Sequence, residues 1–392
     1  MEPSLRWLIV ADDVTGAADT AVLFALAGHK TIVSLSADWE RADAEVLAMD
    51  AAGRSLRADD ARRVMVHFFS TLRSDHKFLK IDSTLRGPIG AMVDGALSAT
   101  GSRWGIVCPA VPSQGRIVRD GQLFVHGQPL AVSPFALLGS PPIRSSAVAD
   151  RLLSTGLSGW QLRHLAITSA RSVAQIRSFL LDAAQVGCLV LADAEDQETL
   201  NRIAETALTI DPKPLWIGAS GLAQAIARPP FVTGLIGPLP PLCRVLIVSG
   251  STHPVTEEQL HCLKEAGIPI IEPASLGGDK EEWTSLPALA VRTAASGPSL
   301  KDSEESLRDL VLKWTVGGRS GIVVIGGDTA RRIFTVIGVK KWRLIGALAP
   351  GVPVGIADRG LETLVVATKA GGFGESKTLI NVVALLLGKS FG

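Results

Sequence analysis

WLIVADDVTGAADTAVLFALAG, residues 7–28, runs from a short apolar stretch through two adjacent carboxylates into a segment of helical period. Residues 7–11 predict a buried strand, and the alanine- and leucine-rich segment from about Thr15 predicts a helix. A strand that turns at once into a helix opens a strand–helix–strand unit, and such units build parallel sheets flanked by helices. In an open parallel sheet ligands collect at the carboxyl ends of the strands, where Asp12 and Asp13 fall. An aspartate at that position also caps the helix, worth about 1 kcal/mol, so the pair has a structural reading beside the chemical one.

The same alternation recurs along the chain. EVLAMD (45–50), FLKID (78–82), WGIVCPA (104–110) and CLVLAD (188–193) are further strand candidates in the first half. RVLIVSG (244–250), IPIIE (268–272), ALAVRT (288–293), GIVVIGG (321–327) and TLVVATK (363–369) are those of the second. Between the two sets lies RPPFVTGLIGPLPPL (228–242), too rich in proline and glycine to continue a helix or a central strand. The expected fold is therefore two α/β domains, each with a mostly parallel sheet flanked by helices. Residues 1–228 would form the first, 229–242 a linker and 243–392 the second, with the active site in the cleft between them. A length of 392 residues agrees, since a single core stops growing near roughly 250 to 300. GQPLAVSPFALLGSPPIRSS (127–146) reads as a long surface excursion within the first half.

Composition narrows the function classes. Lys and Arg number 39 against 38 Asp and Glu, a net charge of +1 with no block of like charge, which argues against a nucleic-acid partner. No apolar run approaches the ~20 residues of a membrane span, and the start has no secretory pattern, so the expected location is cytoplasmic. The four cysteines are far apart and share no metal-ligand spacing with the seven histidines, which argues against structural zinc.

Polar clusters sit at several strand ends. KIDSTLRGPIG (80–90) offers Asp82 as acceptor or base, Ser83 and Thr84 as hydroxyl donors, and Arg86, whose planar fork suits a carboxylate. CPAVPSQGR (108–116) presents Arg116 beside Gly115. Singly these residues fit caps and surface ion pairs; three clusters in one half fit a site for a small polyhydroxy acid. The second half ends its strands in SGST (249–252), GGDT (326–329) and KAGGFG (369–374), turns of small residues whose N–H groups, each followed by a helix, favour phosphate. GGFGESKT (371–378) is a near miss to the P-loop, with Ser376 where that motif has glycine, and no GxGxxG follows any strand. A polyol-acid domain and a polyphosphate domain together point to phosphoryl transfer. In such chemistry Mg²⁺ bridges phosphate oxygens and a carboxylate, here Asp12, Asp13 or Asp82, takes the proton of the attacking hydroxyl.

Seven ordered stretches, ADDVTGAADTA, KIDSTLRGPIG, CPAVPSQGR, VSGSTHPVTEEQ, GGDTA, PGVPVG and TKAGGFG, resemble the four-carbon acid sugar kinases over nearly the whole chain. The resemblance is nearest to the D-threonate and D-erythronate kinase type rather than to the oxo-tetronate branch. It implies ATP- and Mg²⁺-dependent phosphorylation of the terminal hydroxyl of a four-carbon sugar acid. By motif, Asp12, Asp13, Arg54, Asp82, Ser83, Thr84, Leu85, Arg86 and Arg116 would face the acid, with Asp13, Asp82 and Arg86 in the chemistry. Ser249, Ser251, Gly326, Gly327, Asp328, Thr329, Gly371, Gly372 and Gly374 would face ATP. The partners implied are the two small molecules, and a homo-oligomer is compatible with them. The rival readings are a non-catalytic acid-sugar sensor, which leaves the glycine turns of the second half without a use, and a nicotinamide-dependent hydroxy-acid dehydrogenase, which lacks its fingerprint. Ala18 and Ala21 depart from the family's usual residues, and Ala18 bears on substrate stereochemistry.

Overall fold

The computed structural model describes residues 5–36, 44–139, 141–167, 172–272, 283, 285–293, 300–317, 319–359 and 362–389. The chain forms two compact units, Met1–His29 with Ser36–Pro229, and Lys30–Leu35 with Pro230–Gly392.

In the first unit the strands are β1 (Leu5–Ala11), β3 (Val46–Asp50), β4 (Ser74–Lys80), β5 (Gly105–Cys108), β9 (Leu162–Leu165), β10 (Leu189–Ala192) and β11 (Leu215–Gly218), while β2 (Thr31–Ser34) belongs to the second unit. They pair in the order β3-β1-β4-β11-β5-β10-β9, every pair parallel. Both faces of such a sheet are covered, which is why its strands read as unbroken apolar runs: from Trp7 to Ala11 every residue is buried. Helices α1 (Val14–Leu26), α2 (Ala58–Thr71), α3 (Ile89–Thr100), α4 (Val148–Ser154), α5 (Val173–Val186), α6 (Gln197–Leu208) and α7 (Ser220–Ala227) supply that cover. A small antiparallel sheet, β6 (Arg116–Arg119), β7 (Gln122–Val125) and β8 (Gln128–Pro129), follows β5; the sequence reading has no counterpart for it and treats its last part as surface loop.

The chain leaves β1 for β3 on one side and returns to β4 on the other, so the topology switches at β1. Ala11 is level with Asp50 and with Lys80 in the register. The segments that follow these three strands, starting at Asp12, Ala51 and Ile81, therefore emerge side by side at the crevice where open sheets bind ligands.

The second unit pairs β14 (Ile270–Ile271), β15 (Ala288–Arg292), β13 (Arg244–Ser249), β16 (Ser320–Ile325) and β19 (Glu362–Lys369) in parallel. It continues antiparallel through β18 (Val352–Arg359) and β17 (Lys341–Ala349). Two short strands, β2 and β12 (Gly234–Leu235), pair antiparallel with β17. Val245, Ile247, Val323, Val365, Leu379 and Val383 belong to its core. Its helices are α8 (Pro254–Glu265), α9 (Leu300–Thr315), α10 (Gly327–Val336) and α11 (Thr378–Leu387). Here the switch lies between β13 and β16, and the loops after β13, β16 and β19 follow its edge.

Candidate functional site

Asp13 caps α1, its Oδ1 accepting from the N–H of Gly16 at 2.8 Å and its Oδ2 from the hydroxyl of Thr15 at 2.9 Å. It also serves the site. Arg54, in the turn after β3, donates from Nε to Asp12 Oδ2 and from a terminal nitrogen to Asp13 Oδ2, both at 2.7 Å, and its other terminal nitrogen lies 3.5 Å from Asp82. One guanidinium thus ties together the ends of β1, β3 and β4. A side chain at position 16 would collide with Asp13 and Lys80, its Cβ falling 2.6 and 2.8 Å from their nearest atoms, so only glycine lets α1 start this close to the carboxylates.

Asp82 is gripped harder. Arg86 donates to both of its oxygens at 2.8 and 2.7 Å, and the hydroxyl and N–H of Thr84 add two more bonds. Ser83 accepts from Arg116, which is buried. Leu85 adopts a left-handed backbone at φ 58° with its side chain wholly buried; its N–H donates to the Asp82 carbonyl and its own carbonyl accepts from Arg151. What Leu85 supplies to the cluster is the turn, not a side-chain contact.

These contacts set the charge states. Burial favours the neutral carboxyl in all three aspartates. At Asp12 it prevails over Arg54 and Lys80 and the pKa is raised; Oδ1 of Asp12 accepts no hydrogen bond among the described residues, with the Lys80 ammonium 3.9 Å away. At Asp13 the opposing pull of Arg54, Lys80 and the Gly16 N–H is stronger and the pKa is lowered. At Asp82 burial is outweighed by Arg86 and Arg54, and the carboxyl is held well below its usual range. Arg54 stays charged because its three aspartates outweigh burial, whereas burial pushes Arg116 down to about 10.

In the second unit, Ser249 ends β13 fully buried, and Gly250 packs so closely on Thr329 that a Cβ there would lie 2.0 Å from its hydroxyl. That contact locks the turn after β13 to the start of α10, whose N-cap is Gly326 and whose first turn carries Gly327, Asp328 and Thr329. The loop after β19 lies against α8: Thr256 donates to the Gly371 carbonyl at 2.8 Å, and Ser251 and His253 border Gly371 and Gly372. Gly374, at φ 84°, turns the chain toward α11. The predicted residues of each half thus gather in their own unit, at the carboxyl ends of its strands.

Four groups escape a reading of the sequence by residue. Lys80 and Lys369 end strands and are buried, as interior residues at those positions of the apolar pattern. Asp19, partly exposed on α1, accepts from Ser220 and has its pKa raised by burial against the pull of Lys80. Arg151 comes from α4, remote in sequence. Their signal is a charge inside an apolar or helical run, and only packing tells such a charge from a solvated one.

A sugar-binding N-terminal domain model matches residues 7–226 and a nucleotide-binding C-terminal domain model residues 246–379. D-threonate kinase of Bordetella bronchiseptica is 31 % identical over 98 % of this chain and 98 % of its own length. The chain belongs to the four-carbon acid sugar kinase family. Within that family, 3-oxo-tetronate kinase of Pseudomonas fluorescens is 27 % identical over 93 % of each chain. The fold is shared with a Haemophilus influenzae protein solved as a member of the DUF1537 family, at a TM-score of 0.75 and 21 % identity, over 97 % of this chain and all of that one.

Proposed function

We propose that the protein is an ATP-dependent kinase that phosphorylates the terminal hydroxyl of a four-carbon sugar acid, D-threonate or D-erythronate, giving the 4-phospho acid and ADP. The observation that carries the reading is the end-to-end similarity to D-threonate kinase, taken with a cluster that pairs fixed carboxylates with guanidinium groups. In this reading the first unit holds the acid and the second the nucleotide.

Arg116, with Ser83 and Thr84, takes the substrate carboxylate and its neighbouring hydroxyl; Arg54 aims Asp12 and Asp13 and favours the charged form of each against burial. The reacting hydroxyl donates to Asp13 or Asp82, its oxygen attacks the γ-phosphorus, the bond to the β-bridging oxygen breaks, and ADP leaves. The proton passes to the carboxylate. Arginine-bound carboxylates are weak bases, which suits a loose transition state in which the hydroxyl proton departs late. Arg86 offsets the charge that develops. The loops at Ser249–Ser251, Gly326–Thr329 and Gly371–Gly374 hold the phosphates. Among the described residues no three His, Cys, Asp or Glu side chains converge as a resident metal site would require; magnesium enters on the nucleotide, as Mg-ATP.

The test is ADP release from Mg-ATP with a panel of threonate and erythronate, each in both enantiomers, and 3-oxo-tetronate. Turnover with one reduced acid is expected. Turnover with 3-oxo-tetronate alone moves the protein to the other branch, and silence across the panel refutes the four-carbon substrate.

A further inference from the structure

Lys369 is fully buried at the end of β19, and among the described residues no carboxylate lies within ion-pair distance of it. A buried ammonium without a counter-ion is costly. Its Nζ donates to two carbonyls of the loop that follows, Ala370 at 3.1 Å and Gly371 at 3.3 Å. From α8 the buried hydroxyl of Thr256 also reaches the Gly371 carbonyl, and the buried amide of Gln259 reaches those of Phe373 at 3.1 Å and Glu375 at 2.8 Å.

A trans peptide is planar, with its C=O and the next N–H pointing opposite ways. Drawing in the carbonyls of Ala370, Gly371 and Phe373 therefore turns out the N–H groups of Gly371, Gly372 and Gly374. Among the described residues these three donate to no protein acceptor. Successive outward N–H groups make an anion-binding concavity. We propose that Lys369 is the positioning residue of this loop: with Thr256 and Gln259 it holds the carbonyls inward, presents the glycine N–H groups to a nucleotide phosphate, and has its own charge balanced only when that anion is bound. The proposal deepens the kinase reading and rests on it for the nucleotide, though the anion cradle can be tested without one.

Burial pushes Lys369 down to about 7, so at pH 8 it is largely neutral in the free protein. The other ionisable groups around the loop are His253, which caps α8, Glu257 on α8 paired with Arg292, Asp328 at the start of α10, and Glu375 and Lys377 in the loop itself. Binding of Mg-ATP and, separately, of inorganic tripolyphosphate is measured by calorimetry at pH 8 in two buffers of different ionisation enthalpy. The wild type is expected to take up close to one proton with either anion, and His253→Gln to do the same. Lys369→Met, its fold checked by circular dichroism, is expected to lose the uptake and to bind both anions roughly 10- to 100-fold more weakly, with sugar-acid affinity unchanged. Thr256→Val is expected to weaken both anions and keep the uptake, and it decides the matter if Lys369→Met does not fold. Anion binding by the wild type without proton uptake, or unchanged affinity in Thr256→Val and Lys369→Met, overturns the proposal and leaves the kinase reading standing. Uptake with tripolyphosphate but no response to ATP keeps the cradle and refutes the kinase; binding of neither refutes both.

Discussion

Arg54 shows how much one side chain can carry. Its planar fork spans Asp12 and Asp13 and approaches Asp82, which a point charge on a flexible stem cannot reproduce. Arg54→Lys is expected to destabilise the fold by about 3 kcal/mol, because it leaves buried carboxylates without their partner, and to raise KM for the acid more than for ATP; denaturant unfolding and steady-state kinetics check both. Asp82→Asn keeps the shape of the turn but removes the charge that orients Arg86, so it is expected to fold normally and lose at least ~100-fold in kcat. An unchanged kcat removes Asp82 from the chemistry. Lys369 has the same sign of pH dependence as a paired carboxylate, stability rising with pH, but in a higher window and as the relief of a penalty. Its folded pKa of about 7 lies below the 10.5 of an exposed lysine, so the destabilisation is complete below pH 7 and is relieved as pH rises from 7 toward 10.5. Lys369→Met is therefore expected to stabilise the fold by a few kcal/mol, about 5 at most, at pH 6, with the gain shrinking by pH 9, as read from unfolding curves at the two values.

At the scale of elements, function depends on how strand ends are spliced to the helices that follow. A valine at position 372 would press on the His253 ring, whose Nε2 lies 3.1 Å from where its Cβ would sit. Gly372→Val is thus expected to raise KM for ATP by roughly tenfold and leave acid binding intact, and loss of acid binding alone would reverse the assignment of the two units. The elements most legible in the sequence are those whose signal is local. WLIVA, EVLAMD, RVLIVSG and GIVVIGG are unbroken apolar runs closed by polar or glycine-rich turns, and each lies on an observed strand. Several missed ones are too short or too mixed to stand out: TIVS (31–34), LRHL (162–165) and LWIG (215–218) are four residues long, and KWRLIGALA (341–349) and VPVGIADR (352–359) mix charge with glycine or proline. FLKID predicts a strand to 82, but the strand starts earlier, at Ser74, and stops at Lys80, because Asp82 must turn to meet Arg86. Asp13 was legible both as a cap and as a site residue and is both, since a carboxylate has enough acceptor positions for a helix end and an arginine.

At the scale of the molecule, the second unit is discontinuous in sequence: it takes residues 30–35 from within the first half, and β2 pairs with Lys341–Arg343 of β17. A fragment of residues 230–392 would leave that stretch of edge unpaired, and open edges invite association. It is expected to aggregate or unfold at lower denaturant than the same unit in the full chain, and light scattering with urea titration would show it; a stable monomeric fragment would count against a structural role for β2. The amino-acid sequence by itself determined the two-part α/β plan, the strand ends that carry polar clusters and the chemistry those clusters suit, because each is written in a few neighbouring residues and in the two periods of regular structure. Tertiary structure alone decided that Arg54 meets carboxylates 42 and 41 residues away, that Lys369 is buried without a counter-ion, and that Asp12 and Asp82 shift in opposite directions. The physical reason is that burial and Coulomb energy depend on distances through space, which register and strand order set and which no local pattern records.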